Sequence, residues 1–360
     1  MTRRHTVLIA LVIASVWLIT GCGTKSEPQA SPQAEGIESA SRVAFTLGTV
    51  AELRAYGPGA EEAVDAVVAE LERLTAALDR FSPGSDVYRV NAAAGEWVRV
   101  GSETLALTRT ALEIARMTDG AFDPTVAPLV DLWGFVEVPD SAPAEGQGPT
   151  ALLGRRPPED AEIRRLLPHV GYEFVEVDEA GSRVRLTDPE AELDFGAIAK
   201  GYAADRAAAV LKEHGIDSAF VNLGGDIFVV GGKPDGSPWR IAIQHPRPRG
   251  PNDFIGVVSV KDRSVVTSGD YERYFEYEGV RYTHLIDPRT GYPQQELASI
   301  TVVAPTGTQA DALATAVAVM GMEKGLEFLE SLPDVEGLLV GVDGRMGMTS
   351  GMEKMVELRK

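Results

Sequence analysis

Glu192-Leu-Asp-Phe-Gly-Ala-Ile-Ala-Lys-Gly-Tyr-Ala-Ala-Asp205 changes character halfway along. An extended start delivers Asp194, a Gly-Ala turn follows, and an Ala-rich helix then opens with Lys200 in its first turn. Free backbone N–H groups at such a turn, with an ammonium beside them, make a seat for phosphate oxygens. The segment is neither a Walker loop nor a Gly-x-Gly-x-x-Gly fingerprint, so neither an ATPase nor an ordinary dinucleotide fold follows from it. Read alone, it is also satisfied by a plain strand-turn-helix with a solvated lysine.

Downstream of it come short β-rich runs, at 219–222, 227–230, 240–243, 255–260 and 299–304, and a second Ala-rich helix at about 308–321. Upstream stand a strand-like run from Phe45 to Tyr56, an amphipathic helix from Glu61 to about Leu78, and a helix from Ser102 to Met117 with Ser102 as its N-cap. Two further short runs, 174–177 and 184–186, precede the central segment. This order predicts an α+β body with mixed or antiparallel sheets packed with helices, not a regular βαβ array. Residues 137–160 carry no periodicity and read as a surface insertion.

The N-terminus makes a separate statement. Arg3 and Arg4 precede an apolar stretch from Val7 to Ile19, and Ile19-Thr20-Gly21-Cys22 follows at once. That is the pattern of a lipoprotein leader, with 1–21 removed and Cys22 lipidated. Residues 22–42, rich in Ser, Pro, Gln and Glu, read as a flexible tether, and the folded domain is expected over 43–360. The chain is therefore expected on the extracytoplasmic face of a membrane, held there by its lipid. Cys22 is the only cysteine, which removes disulfides, cysteine-rich zinc sites and thiol catalysis from the mature domain. A formal net charge of −19 argues against nucleic acid as a partner.

Two other segments carry candidate chemistry. Thr308-Gln-Ala-Asp-Ala-Leu-Ala-Thr-Ala-Val-Ala-Val-Met-Gly321 is an almost wholly apolar helix on which Asp311 and Thr315, four residues apart, share one face. A carboxylate there needs a partner, and a hard cation is one. The other reading leaves Asp311 near the helix start for dipole reasons and Thr315 bonded back to a carbonyl. Tyr282-Thr-His-Leu-Ile-Asp-Pro-Arg-Thr-Gly291 places His284 beside a rigid turn with Asp287 in reach, a candidate for proton transfer.

Together with Leu47-Gly-Thr49, Arg80-Phe-Ser-Pro-Gly-Ser85, Gly120-Ala-Phe-Asp-Pro-Thr125, Asn222-Leu-Gly-Gly-Asp226 and Thr267-Ser-Gly-Asp270, these segments give a sequence that resembles the ApbE family of FAD:protein FMN transferases from about Phe45 to Gly321. The resemblance implies an ApbE-like, T-fold-like architecture with FAD in an extended cleft. It implies a Mg²⁺ ion held by the Ala197 carbonyl, Asp311 and Thr315. FAD contacts carried over by the same resemblance are Leu47, Phe81, Ala121, Phe122, Asp123, Asp194, Lys200 and Leu285. Leu47 and Phe81 stand where the family more often has Met and Tyr.

The reaction implied is transfer of FMN from FAD to a Thr or Ser hydroxyl of an acceptor redox protein, with AMP leaving and His284 as the candidate base. Two alternatives remain at this level: an FAD pyrophosphatase that uses water in place of the acceptor, and a lipoprotein that only binds flavin.

Overall fold

Ser39–Thr46 (β1) and Thr49–Tyr56 (β2) form a hairpin with Phe45 opposite Val50. The continuous run expected from Phe45 to Tyr56 is thus broken at Leu47 and Gly48, whose φ values of 50° and 70° are both left-handed. Two successive positive φ angles twist the chain in the sense that closes an antiparallel ribbon. A leucine pays strain for that conformation, and the strain stands in a motif already marked for ligand contact. The ordered body also starts earlier than Val43, because β1 begins at Ser39.

The computed structural model describes residues 36–135 and 150–359, save 94, 153 and 251. The leader, Cys22 and most of the tether lie outside the described residues, as does most of the insertion expected at 137–160. The C-terminal end of that insertion is docked, since Thr150–Ala151 pairs in parallel with Arg273–Tyr274.

Six more strands follow: Ser218–Leu223 (β3), Asp226–Val230 (β4), Arg263–Gly269 (β5), Leu297–Ala304 (β6), Glu336–Gly341 (β7) and Met346–Met348 (β8). With β1 and β2 they make one eight-stranded sheet, antiparallel throughout and ordered as in the chain. Period-2 alternation sorts its side chains onto two faces. Val266, Val302 and Leu339 point toward the helices, whereas Val265, Val303 and Leu338 join a three-stranded sheet of Trp239–Gln244, Phe254–Val260 and Val356–Leu358. Covered on both faces, β6 is buried at every position. The α+β expectation holds, and its antiparallel form is the one adopted by the main sheet.

The helices that cover the first face include Ala60–Leu78 (α1), Ala199–Glu213 (α2) and Gly307–Met320 (α3). Helices α2 and α3 meet through glycine. A Cβ on Gly201 would lie 2.1 Å from the Gly307 carbonyl oxygen, so only hydrogen fits between the backbones. Asp205 fastens the same contact, accepting from the N–H groups of Gly307 (2.5 Å) and Thr308 (2.9 Å) and from the Thr308 hydroxyl (2.5 Å). It caps α3 from a neighbouring helix, satisfying donors that α3 cannot satisfy itself.

One cap differs from expectation. In the helix Ser102–Met117, Ser102 is already helical and its hydroxyl turns to Glu103. The Asp86 carboxylate takes the capping role, accepting from the Gly101 N–H (2.7 Å) and the Thr104 hydroxyl (2.8 Å).

Candidate functional site

The glycine contact between α2 and α3 brings Lys200, in the first turn of α2, against Asp311 in α3 and Asp226 at the start of β4. The Lys200 ammonium lies 2.6 Å from Asp226 Oδ2 and 3.4 Å from Asp311 Oδ1. Asp311 Oδ2 also accepts the Gly201 N–H at 3.0 Å. Both carboxylates are almost fully buried, at 3% and 2% exposure. Burial disfavours the ammonium, but the two carboxylates outweigh it and hold the Lys200 pKa above the ordinary lysine value. Burial first, and the Asp311 charge next, push Asp226 well above the ordinary carboxylate range against the pull of Lys200. With both carboxylates ionised the cluster is one positive charge short, a deficit that a proton on Asp226 or a bound cation fills.

Thr315 lies one turn beyond Asp311 on the same face. Thr75, Thr108 and Thr118 each bond the carbonyl four residues back, but the Thr315 hydroxyl has no hydrogen bond among the described residues. Asp311 itself is the fifth residue of α3, past the first turn. Both observations count against the dipole and back-bonding reading. A buried carboxylate, an unbonded hydroxyl beside it and a deficit of positive charge form an oxygen donor set suited to Mg²⁺. Ala197, the third expected ligand, is half-buried in the turn before α2.

That turn is less open as an anion seat than the sequence suggests. Gly196 N–H bonds Asp194 Oδ1 at 2.6 Å, and the N–H groups of Ile198 and Ala199 bond the Phe195 carbonyl. Asp194 is further tied to Arg80, whose Nε lies 3.2 Å from its Oδ2. Arg80 also pairs with Asp131 and Glu192 and lies 4.3 Å above the ring of Phe81, which is 55% exposed. Phe81 therefore presents an accessible aromatic face braced by a guanidinium.

His284 lies in the segment after the hairpin Arg273–Tyr277/Val280–Thr283. Its Nδ1 is 3.2 Å from the Arg273 carbonyl oxygen, which can only accept, so the neutral ring carries its proton on Nδ1 and leaves the Nε2 lone pair free. A rim of the ring reaches solvent, yet burial, with help from Arg273 and Lys200, lowers its pKa to about 4. The expected partner Asp287 is engaged elsewhere. Its carboxylate holds the Arg289 guanidinium at 2.8 and 3.0 Å, because the Asp-Pro-Arg turn folds that arginine back on it.

The chain matches the ApbE family over residues 47–339. A relative from Treponema pallidum, an FAD:protein FMN transferase, is 36% identical over 88% of this chain and 89% of its own. The crystal structure of an ApbE protein from Thermotoga maritima superposes with a TM-score of 0.78 at 34% identity, covering 90% of this chain and 100% of that one. The apo flavinyl transferase ApbE of Pseudomonas stutzeri gives 0.75 at 32% identity, covering 89% and 97%.

The chain belongs to the ApbE family.

Within this ApbE chain the remaining expected ligand residues divide. Leu47 is partly buried at the strained hairpin turn, its N–H on the Thr75 hydroxyl at 3.3 Å. Ala121, Phe122 and Leu285 are core residues with side chains 1–3% exposed, so only their main chain is left to meet a ligand. The Asp123 carboxylate is spent internally on the Thr125 N–H (2.8 Å) and hydroxyl (2.6 Å) and the Tyr172 N–H (2.8 Å). Burial raises its pKa despite those bonds.

Asp226, Arg80 and the Arg273 carbonyl were not picked out by sequence. Asp226 closed a Gly-rich turn, a setting too common to single it out. The signal for Arg80 was its place beside Phe81, and the Arg273 carbonyl carries no signal in sequence.

Proposed function

We propose that this chain transfers FMN from FAD to a Thr or Ser hydroxyl of an acceptor protein, releasing AMP, and that it does so with Mg²⁺. The observation that carries the reading is the Lys200–Asp226–Asp311 cluster with the unbonded Thr315 hydroxyl beside it. Asp311, Thr315 and the Ala197 carbonyl would hold the ion. When bound, Mg²⁺ supplies positive charge that offsets the charge growing on the pyrophosphate as its bond breaks.

The chain's own residues account for the rest. Asp226 holds Lys200 in place, so its ammonium adds a fixed positive potential without reorganising. The braced ring of Phe81 and the Leu47 turn offer apolar contact to a flavin. His284 Nε2 takes the proton of the acceptor hydroxyl as the oxygen bonds to the phosphorus on the riboflavin side and the bond to AMP breaks. At a pKa of about 4 the ring is neutral and able to accept at physiological pH, and the negative charge of a bound pyrophosphate draws that value upward toward the working pH.

Acylation at Cys22 places this activity on the extracytoplasmic face of the membrane. The test is to incubate the protein with FAD, Mg²⁺ and a candidate redox subunit and to follow both AMP and acceptor mass. An FMN-sized adduct on Thr or Ser, in step with AMP, supports transfer. AMP release at the same rate without any acceptor moves the assignment to FAD hydrolysis, and FAD binding without AMP moves it to flavin storage.

A further inference from the structure

A cavity of about 720 Å³ opens on the other face of the main sheet, between residues 245–250 with 252–253 and the β7–β8 turn. Three large apolar side chains that line it, Val342, Met346 and Leu358, are 55%, 47% and 40% exposed. Exposed apolar residues scattered singly need no explanation, whereas these three share one concavity.

Its charged lining is equally one-sided. Arg247, Arg249 and Arg359 face a single lining carboxylate, Asp253, in a chain of net charge −19. Asp253 Oδ1 neutralises Arg359 at 3.1 Å, and Asp270 neutralises Arg247 at 2.6 and 2.7 Å. Arg249 bonds Asp253 only through its backbone N–H, and its guanidinium has no ion pair or hydrogen bond among the described residues. His245 adds a donor. Its Nδ1 accepts the Arg247 N–H at 3.0 Å, so the proton of the neutral ring sits on Nε2.

We propose that this cavity binds a single-chain amphiphile with an anionic head, a monoalkyl phosphate or an acyl carboxylate. Arg249 and the His245 Nε2–H take the head, and the chain lies over Val342, Met346 and Leu358. Arg249 is the one guanidinium of this lining without an ion pair among the described residues, and an anionic head supplies that partner. The volume falls in the range of small-molecule pockets.

Calorimetric titration of the mature chain with dodecyl phosphate, kept below its micelle concentration, tests this against dodecyl maltoside and inorganic phosphate. The expected result is binding of dodecyl phosphate at least roughly tenfold tighter than of either control, weakened roughly tenfold or more by Arg249→Glu and by Met346→Asp at unchanged melting temperature. Equal binding of dodecyl maltoside, no binding of dodecyl phosphate, or an unaffected Arg249→Glu variant overturns it. So does Arg249-dependent sedimentation with phosphatidylglycerol vesicles when the monomeric amphiphile does not bind, since that assigns the groove to a membrane surface.

Discussion

Asp311 has three partners at once in the proposed site: the Lys200 ammonium, the Gly201 N–H and the ion. Truncation to Ala would remove all three and confound catalysis with folding. Asp311→Asn keeps an oxygen for the Gly201 N–H and removes only the charge. Its transfer rate should fall about 10²–10³-fold, the usual loss when a charge-stabilising group is deleted, with FAD affinity changed far less. Thr315→Val removes a neutral oxygen that water can replace, so its smaller defect should shrink as Mg²⁺ is raised. AMP release and acceptor flavinylation across a Mg²⁺ titration measure both, and near-normal turnover of Asp311→Asn takes the residue out of the mechanism. His284 gives a second prediction at this scale. An ordinary histidine protonates near pH 6.5, whereas His284 in the ligand-free protein stays neutral down to about 4. Between those values the unfolded chain binds a proton that the native ring refuses. Its contribution to stability is therefore intact above pH 6.5 and is lost progressively as pH falls toward 4. A histidine-resolved NMR titration should show one imidazole titrating below about pH 5, and a midpoint near 6.5 for His284 would refute the burial argument.

At the scale of elements, the site depends on how closely α2 and α3 approach. Gly201→Ala places a methyl 2.1 Å from the Gly307 carbonyl oxygen, which is backbone and cannot rotate aside. The helices must separate, at a cost of about 1–3 kcal/mol, and Asp311 loses its bond to the residue 201 N–H as they do. The variant should melt earlier and also lose transfer activity when assayed well below its melting temperature. Retention of both sinks the claim that this contact sets the site. Much of the element scale was legible beforehand. The helical spacing of Val64, Val67, Val68, Leu71, Leu74 and Leu78 marked α1, and all of them but the half-buried Val68 are buried. The hairpin at Leu47 was not, because propensity gives no reason for a leucine to adopt positive φ; only the register of β1 on β2 imposes it.

For the whole molecule, the leader and the acidic domain make one proposal about location. The mature chain should begin at an acylated Cys22 and partition with membranes, while Cys22→Ala should leave the chain uncleaved or soluble. Mass analysis of the N-terminal peptide and fractionation of both forms check this, and an unmodified mature N-terminus at another residue rules it out. The main sheet adds a folding consequence. Its strands run in chain order, so each pairs with the next available partner, but β2 to β3 spans the whole stretch from Tyr56 to Ser218. That closure is the costly one entropically.

The sequence by itself determined what is local: the strand and helix periods, the turn before Lys200, the four-residue spacing of Asp311 and Thr315, and the family likeness carried by motifs in fixed order. Spacing along one helix sets which side chains share its face, so that much needs no tertiary information. Which donors are already spent, and which groups meet across elements, was decided only by the packed structure. Asp226 reached Lys200 through the junction of β4 with α2, Asp123 and Asp287 turned inward to local partners, and His284 took its tautomer from a backbone carbonyl eleven residues away. Burial is what gives those pairings their force, since a charge or donor that costs little in water must find a partner once it is enclosed, and enclosure is a property of the whole fold.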